Sequence, residues 1–375
     1  MKKLLAIALS LALSATLIFQ VGCTRPLGSQ LGKDAYPEEY AVAVVRTTEY
    51  FESSFVEFYD DDLNLIACIE YPYADLENRG EPVRTSQGVV YIAHRGKAFE
   101  RQGNGVVGIS LATGEATEYQ LETPVAAAEA TDDYIFGIVD AVTTSYITRI
   151  DKNTGEQTVK AFEDCMFGCS AVGHGLLLIA DDPLTGEVGD LLVLDEDLEE
   201  IERFNLGSLG VCHRIFEPID DKFYFEASKY DAESGTYAKT LNYYSLSDGQ
   251  LHTVVSDYSC QTLEVFSHDN YLLVTQFDRN IDSANKILIL DRETHEAVSI
   301  FSLPYFPDSV CLSGDSLYVS GWYRDAGQTH CLNKYRVEGA EVIKLDETQI
   351  SKELDELGTR QGSGYFVTGL FFREG

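Results

Sequence analysis

The sequence predicts an all-β fold, a ring of seven blades that are each a four-stranded antiparallel sheet. Two repeating columns and the character of the two chain ends carry that expectation. The first column is a strand, an acidic or polar residue, two or three turn formers and a second strand, as in "GISLATGEATEYQL", "TRIDKNTGEQTVKAF" and "LILDRETHEAVSIFSL". The position of Asp151 recurs as Asp60, Ser110, Asp195, Ser245, Asp291 and Arg336, spaced roughly 41–50 residues apart, which is blade length. Here Asp151 or Ser110 can accept from backbone amides two residues on, while Gly155 or Gly114 takes a positive φ. These are hairpin corners.

The second column is a polar pair followed by an alternating run rich in Tyr, Phe, Leu, Ile and Val: "QGVVYIAH", "DDYIFGIV", "GHGLLLIA", "DDKFYFEA", "HDNYLLVT" and "GDSLYVSG". Each fits a tight corner leading into a buried strand. Each unit then supplies an inner strand, a second strand, and a hairpin. The stretch from Glu39 to Tyr71 has room for three strands, "YAVAVVRTT", "SFVEFYD" and "NLIACIEY", and the final "GYFVTGLFFRE" can supply the fourth, so that the ring closes without an open edge. A tail that gives two strands, and rings of six or eight blades, fit the same pattern.

Ahead of the repeats, "MKKLLAIALSLALSATLIFQVGC" has a basic start at Lys2 and Lys3 and an apolar run from Leu4 to Phe19, the marks of an export signal over residues 1–22. Val21, Gly22 and Cys23 resemble the cleavage site of bacterial lipoproteins, although Gln20 stands where leucine is usual. That resemblance implies a diacylglycerol on Cys23 and attachment to the outer side of a bacterial membrane, at the cell surface or in the periplasm. A plain secretory signal and an uncleaved anchor are the alternatives. Residues 23–38 lack periodicity and read as a tether, and residues 39–375 form the β domain.

The whole chain carries 28 basic and 61 acidic side chains, a formal charge of −33. Such acidity argues against nucleic acid as a partner and against anionic headgroups meeting the folded part. A monomer is expected.

Residues 290–322, "LDRETHEAVSIFSLPYFPDSVCLSGDSLYVSGW", resemble the repeat of YVTN-type propellers in the quinoprotein-like group through Asp291, Leu303, Pro304, Pro307, Asp308 and "GDSLYVSG". The "DKNTGE" and "LATGE" turns are similar to those of quinone-dependent dehydrogenase propellers, which add a tryptophan soon after in most blades. This chain has one tryptophan, Trp322, elsewhere in the repeat, and no cofactor is expected.

Candidate site residues are sought where inner strands converge on the axis. Counting back eleven residues from Leu176, Phe223 and Tyr271, read as the first strand residues after three corners, gives Cys165, Cys212 and Cys260, with His213 beside the second. On one rim these thiols would suit a disulfide between blades or a soft metal ion, and equally a tightly packed inner strand. Cys169 and Cys311 fall outside that column. Arg84, Glu129, Arg214 and Glu264 lie in or near inner strands and are candidates to line the channel. No HExxH, G-x-S-x-G or other catalytic constellation occurs, so no catalytic or metal-ligating residue is named. The expectation is a non-enzymatic module that binds a protein or small ligand. A propeller enzyme, a lactonase-like hydrolase or lyase with an axial metal, is the alternative.

Overall fold

The computed structural model describes residue 32 and residues 34–373, apart from 49–51, 79–82, 99–103, 140–143, 182–187, 232–235, 259, 279–284, 324–328, 351–353 and 355–364. Cys23 and the signal lie outside these residues. Blade 1 holds β1 (Val42–Thr47), β2 (Ser54–Tyr59) and β3 (Leu65–Tyr71). Blade 2 holds β4 (Arg84–Ser86), β5 (Val89–His94), β6 (Gly105–Ser110) and β7 (Ala116–Gln120), and blade 3 holds β8 (Ala127–Ala130), β9 (Tyr134–Val139), β10 (Thr144–Asp151) and β11 (Gln157–Glu163). Blade 4 is β12 (Phe167–Gly173), β13 (Leu176–Asp181), β14 (Asp190–Asp195) and β15 (Glu200–Asn205), followed in blade 5 by β16 (Val211–Ile215), β17 (Lys222–Asp231), β18 (Thr236–Ser245) and β19 (Gln250–Tyr258). Blade 6 is β20 (Gln261–His268), β21 (Tyr271–Phe277), β22 (Lys286–Asp291) and β23 (Ala297–Ser302), and blade 7 is β24 (Phe306–Ser313), β25 (Ser316–Tyr323), β26 (Thr329–Glu338) and β27 (Glu341–Gln349).

The last strand, β28 (Phe366–Phe371), pairs antiparallel with β1 and completes blade 1 in the order β28-β1-β2-β3. The protein is therefore a seven-bladed β-propeller, closed by a C-terminal strand against three N-terminal ones. The tail contributes one strand. Inner strands of neighbouring blades touch, whereas outer strands such as β15 and β23 alternate exposed and half-buried residues.

Both columns of the repeat have a structural counterpart. The corner between the first and second strands is a two-residue turn, with Gln87 and Gly88 or His174 and Gly175 at positive φ. In the outer hairpin, Asp151 Oδ1 accepts from the amides of Asn153 and Thr154, both at 2.8 Å, and Asp291 Oδ1 does the same for Glu293 and Thr294. The columns also face each other across the sheet: Ser110 pairs with Val89, Asp151 with Tyr134, Asp195 with Leu176, Ser245 with Lys222, Asp291 with Tyr271 and Arg336 with Ser316.

This register corrects one point of the sequence reading. Lys222, and not Phe223, is the first strand residue after the corner of blade 5, because the turn residues are Asp220 and Asp221. In the strand register Cys212, opposite Ala227, is equivalent to Phe167, opposite Asp181, and to Thr262, opposite Gln276, so it lies two positions out of line with Cys165 and Cys260.

The core consists of apolar layers between successive blades. In the layer between blades 4 and 5, Leu178, Ala180, Leu191 and Val193 meet Ile215, Phe223, Phe225 and Ala227, all nearly inaccessible. Burying each large aliphatic or aromatic side chain contributes roughly 1.5–3 kcal/mol. Polar side chains tie the blades where their backbones meet. Ser145 Oγ donates to the Cys165 carbonyl and accepts from the Phe167 amide, so blade 3 holds the entry to β12. The Glu226 carboxylate of blade 5 accepts from the Thr262 amide of blade 6.

Within blade 5 the backbones also crowd at Gly210, with φ +91°, where an added Cβ would lie 2.1 Å from the Ser228 carbonyl oxygen. Backbone cannot yield there as a flexible side chain can. Gly210→Ala is expected to lower unfolding free energy by about 2–4 kcal/mol, read from urea denaturation of both proteins.

Candidate functional site

Five blades bring charged or polar inner-strand residues to the axis. Arg84 opens β4, Glu129 sits in β8, Ser170 in β12, Arg214 in β16 and Glu264 in β20. The register shifts between Cys212 and Arg214 and between Thr262 and Glu264 are β-bulges. Each sets two inner-strand residues against one neighbour, which re-aims the following side chain relative to strict alternation.

The contacts run around the channel from blade to blade. Arg84 Nε lies 3.2 Å from Glu129 Oε2, and Ser170 Oγ donates to Glu129 Oε1 at 3.2 Å. Arg84 Nη1 reaches 3.2 Å to Oε1 of Glu217, in the β16–β17 connection. The Arg84 and Glu129 side chains are only 4% and 2% exposed, whereas Glu217 is 63% exposed, so the cluster runs from the interior to a solvent-facing mouth. Arg214 Nη1 donates to the Leu263 carbonyl at 2.6 Å, which ties blade 5 to the blade 6 inner strand.

Glu264 is the buried acid of this group. Burial pushes its carboxyl up to about 8, against the pull of Arg84 and Arg214, while Glu217 adds to the rise. The Val265 amide donates to Glu264 Oε1 at 3.2 Å. At neutral pH Glu264 is mostly protonated and offers an O–H donor beside two guanidinium groups. Glu129 and Glu217 supply acceptors. The mouth thus presents donors and acceptors of both charge signs, Glu217 on a connection at the rim and the others on inner strands, where partial dehydration strengthens their electrostatic interaction with a polar ligand.

Arg84, Glu129, Arg214 and Glu264, named from the repeat register, are brought together. The cysteine column has a different disposition. Cys165 lies in the apolar layer between blades 3 and 4, with Phe162, Phe167 and Ile179. Its thiol is pushed up to about 11, chiefly by burial, with Asp181 adding to the rise. Cys212 lies in the next layer, and Cys260 is buried immediately before β20. His213, at the bulge, holds Ser228 Oγ at 2.5 Å from its Nε2. Among the described residues, no group of three or more His, Cys, Asp or Glu is placed to hold a metal.

Two features escape the sequence reading. Glu217 carries no repeat signal, because its place depends on the irregular β16–β17 connection. Cys169, outside the column, has its Sγ 3.7 Å from that of Cys212. The corners also do more than turn the chain: His174 Nε2 lies 2.6 Å from the Asp220 carbonyl oxygen, and His268 Nε2 lies 2.9 Å from Asp315 Oδ1, each bridging adjacent blades.

No known protein family matches the chain, and no curated protein resembles it in sequence. Solved structures do resemble it in fold. Hydrazine synthase from Kuenenia stuttgartiensis aligns at 12% identity with a TM-score of 0.54, covering 85% of this chain and 100% of that one. The β-propeller domain of the Trilobed protease from Pyrococcus furiosus, described as having an open velcro topology, aligns at 14% identity with a TM-score of 0.51 over 75% of this chain and 84% of its own. A chain of the mitotic checkpoint complex aligns at 10% identity with a TM-score of 0.54, over 75% and 82% of the two chains. At such identities the likeness concerns the propeller fold alone.

Proposed function

We propose that this chain is an extracytoplasmic binding module, held to a bacterial membrane through lipid on Cys23, that takes a polar ligand at the mouth of its axial channel. The ligand is a small molecule or an exposed protein loop carrying both charge signs. The convergence of Arg84, Glu129, Arg214, Glu217 and Glu264 on one mouth carries this reading. Arg84 meets the anionic part of the ligand, Glu217 the cationic part, and protonated Glu264 donates to an acceptor deeper in. Seven rigid blades set the spacing of these groups, so little ordering is needed on binding.

The test is a thermal-shift screen of zwitterionic and anionic small molecules and short peptides on the detergent-solubilised full chain. A ligand at about 100 times its Kd should add roughly 2.7 kcal/mol of stability. Arg84→Ala should weaken the binding at least about tenfold, a loss of roughly 1.4 kcal/mol. Binding that ignores both Arg84→Ala and Glu217→Ala would place the ligand elsewhere, and chelator-sensitive turnover of a lactone would favour an enzyme. The anchor has a separate test. Cys23→Ser should move the protein from the membrane fraction to the soluble fraction, and unchanged membrane retention would refute lipidation.

A further inference from the structure

We propose that Cys169 and Cys212 form a disulfide that joins the inner strands of blades 4 and 5 directly behind the charged mouth. Their Sγ atoms are 3.7 Å apart, and both thiols are buried in the same apolar layer, with Ala171, Ala180 and Ala227. The two backbones are close as well: a Cβ built on Gly168 would lie 3.7 Å from the Cys212 carbonyl oxygen. Bond formation requires the sulfurs to close by about 1.7 Å, within the reach of side-chain rotation when the Cβ atoms are neighbours. An extracytoplasmic location, which is the proposed one, is where such a bond persists.

The chemistry is thiol–disulfide exchange. The thiolate of one cysteine attacks a disulfide of an exchange catalyst or of oxidised glutathione, forming a mixed disulfide, and the second thiolate displaces it. The pair gives up two electrons and two protons, and the oxidant leaves as two thiols. With Cys169 5% and Cys212 2% exposed, the reaction belongs to folding, before the layer between the two blades seals.

The bond bears on the mouth through its neighbours. Ser170, which donates to Glu129, follows Cys169, and the Arg214 carbonyl oxygen lies 3.5 Å from Cys212 Sγ. The crosslink thereby fixes the spacing between Ser170 and Arg214. This consequence rests on the binding reading, whereas the crosslink itself does not.

The experiment uses the full chain extracted from the bacterial envelope directly into denaturant containing N-ethylmaleimide, which blocks buried as well as exposed thiols, then digested without reductant and mapped by mass spectrometry. The expected result is a peptide pair linked through Cys169 and Cys212. Reduction should also lower Tm by about 2–8 °C, a drop that Cys212→Ala abolishes. Recovery of both residues as N-ethylmaleimide adducts, or of either in a different crosslink, would overturn the proposal. Peptide mapping needs no variant, so it decides between these outcomes even if Cys212→Ala folds poorly. A confirmed crosslink in a protein whose ligand ignores Arg84→Ala would leave the disulfide intact and refute the binding reading alone.

Discussion

Replacing Glu264 with glutamine is expected to stabilise the protein at pH 8 and above and to remove a decline in stability that the unchanged protein shows from about pH 5 to pH 8. The Glu264 carboxyl, ordinarily near 4.5, is raised to about 8 by burial, even with Arg84 and Arg214 facing it. Over the interval between those values the unfolded chain has released its proton while the folded chain keeps it. Stability therefore falls as pH rises. The contribution is complete below the ordinary value and lost once pH passes the folded one. A shift of this size corresponds to an upper bound of about 5 kcal/mol, and glutamine should recover roughly 2–4 kcal/mol of it at pH 8. Urea denaturation from pH 5 to pH 9 measures the difference directly. Parallel pH profiles for the two proteins would refute the assignment.

The exposed turn aspartates impose the opposite slope. Side-chain and backbone hydrogen bonds from Asn64 hold Asp60 below its ordinary value, and hydrogen bonds from Thr294 hold Asp291 low in the same way. Their contribution is present above the ordinary carboxylate value and is lost as pH falls through the lower folded one.

The second large effect is expected at the closure of the ring. Arg46 of β1 and Glu57 of β2 are both fully inaccessible, with Nη1 3.7 Å from Oε2. Arg46 Nη2 also donates to the Tyr365 carbonyl at 2.8 Å, immediately before β28, and the Tyr59 hydroxyl donates to Glu57 at 3.2 Å. The pair thus joins the two N-terminal strands to the entry of the C-terminal strand that closes the ring. Arg46→Met removes the cation and leaves the Glu57 carboxylate inside the sheet layer, which should destabilise the protein by about 3–5 kcal/mol. Pairing it with Glu57→Gln should restore part of the loss, because the remaining group is then neutral and still able to hydrogen-bond. Denaturation of the single and double variants gives the coupling, and limited proteolysis of the C-terminal segment reads the opening of the ring. A single variant as stable as the parent would show that closure does not depend on this pair.

Much of the architecture was legible in the sequence because it repeats. A hairpin corner needs its acceptor and its positive-φ residue at set positions, so Asp151 with Gly155, and Asp291 with His295 at φ 59°, mark each blade by local chemistry. Corner and outer turn lie opposite each other in the sheet, so the two columns keep a common spacing. Closure by three N-terminal strands and one C-terminal strand was legible as one of two endings, the other being a tail of two strands, and the pairing of β28 with β1 decides between them. The channel charges Arg84, Glu129, Arg214 and Glu264 followed from position in the inner strands.

The cysteines show where that reasoning stops. Equal spacing in sequence placed Cys165, Cys212 and Cys260 in one column, yet the bulge at His213 and the irregular β16–β17 connection add residues in blade 5, so that Cys212 lies within its inner strand while Cys165 and Cys260 precede theirs. Cys169, excluded by counting, is the residue that meets Cys212. Local turn chemistry and alternation write the blade and its corners into the chain and favour seven repeats, while the pairing of β28 with β1 settles the blade number and the closure. Only the tertiary structure decided which side chains from separate blades meet at the axis and between the sheets, because those contacts depend on bulges and on the packing of blade against blade, which leave no periodic trace in the chain.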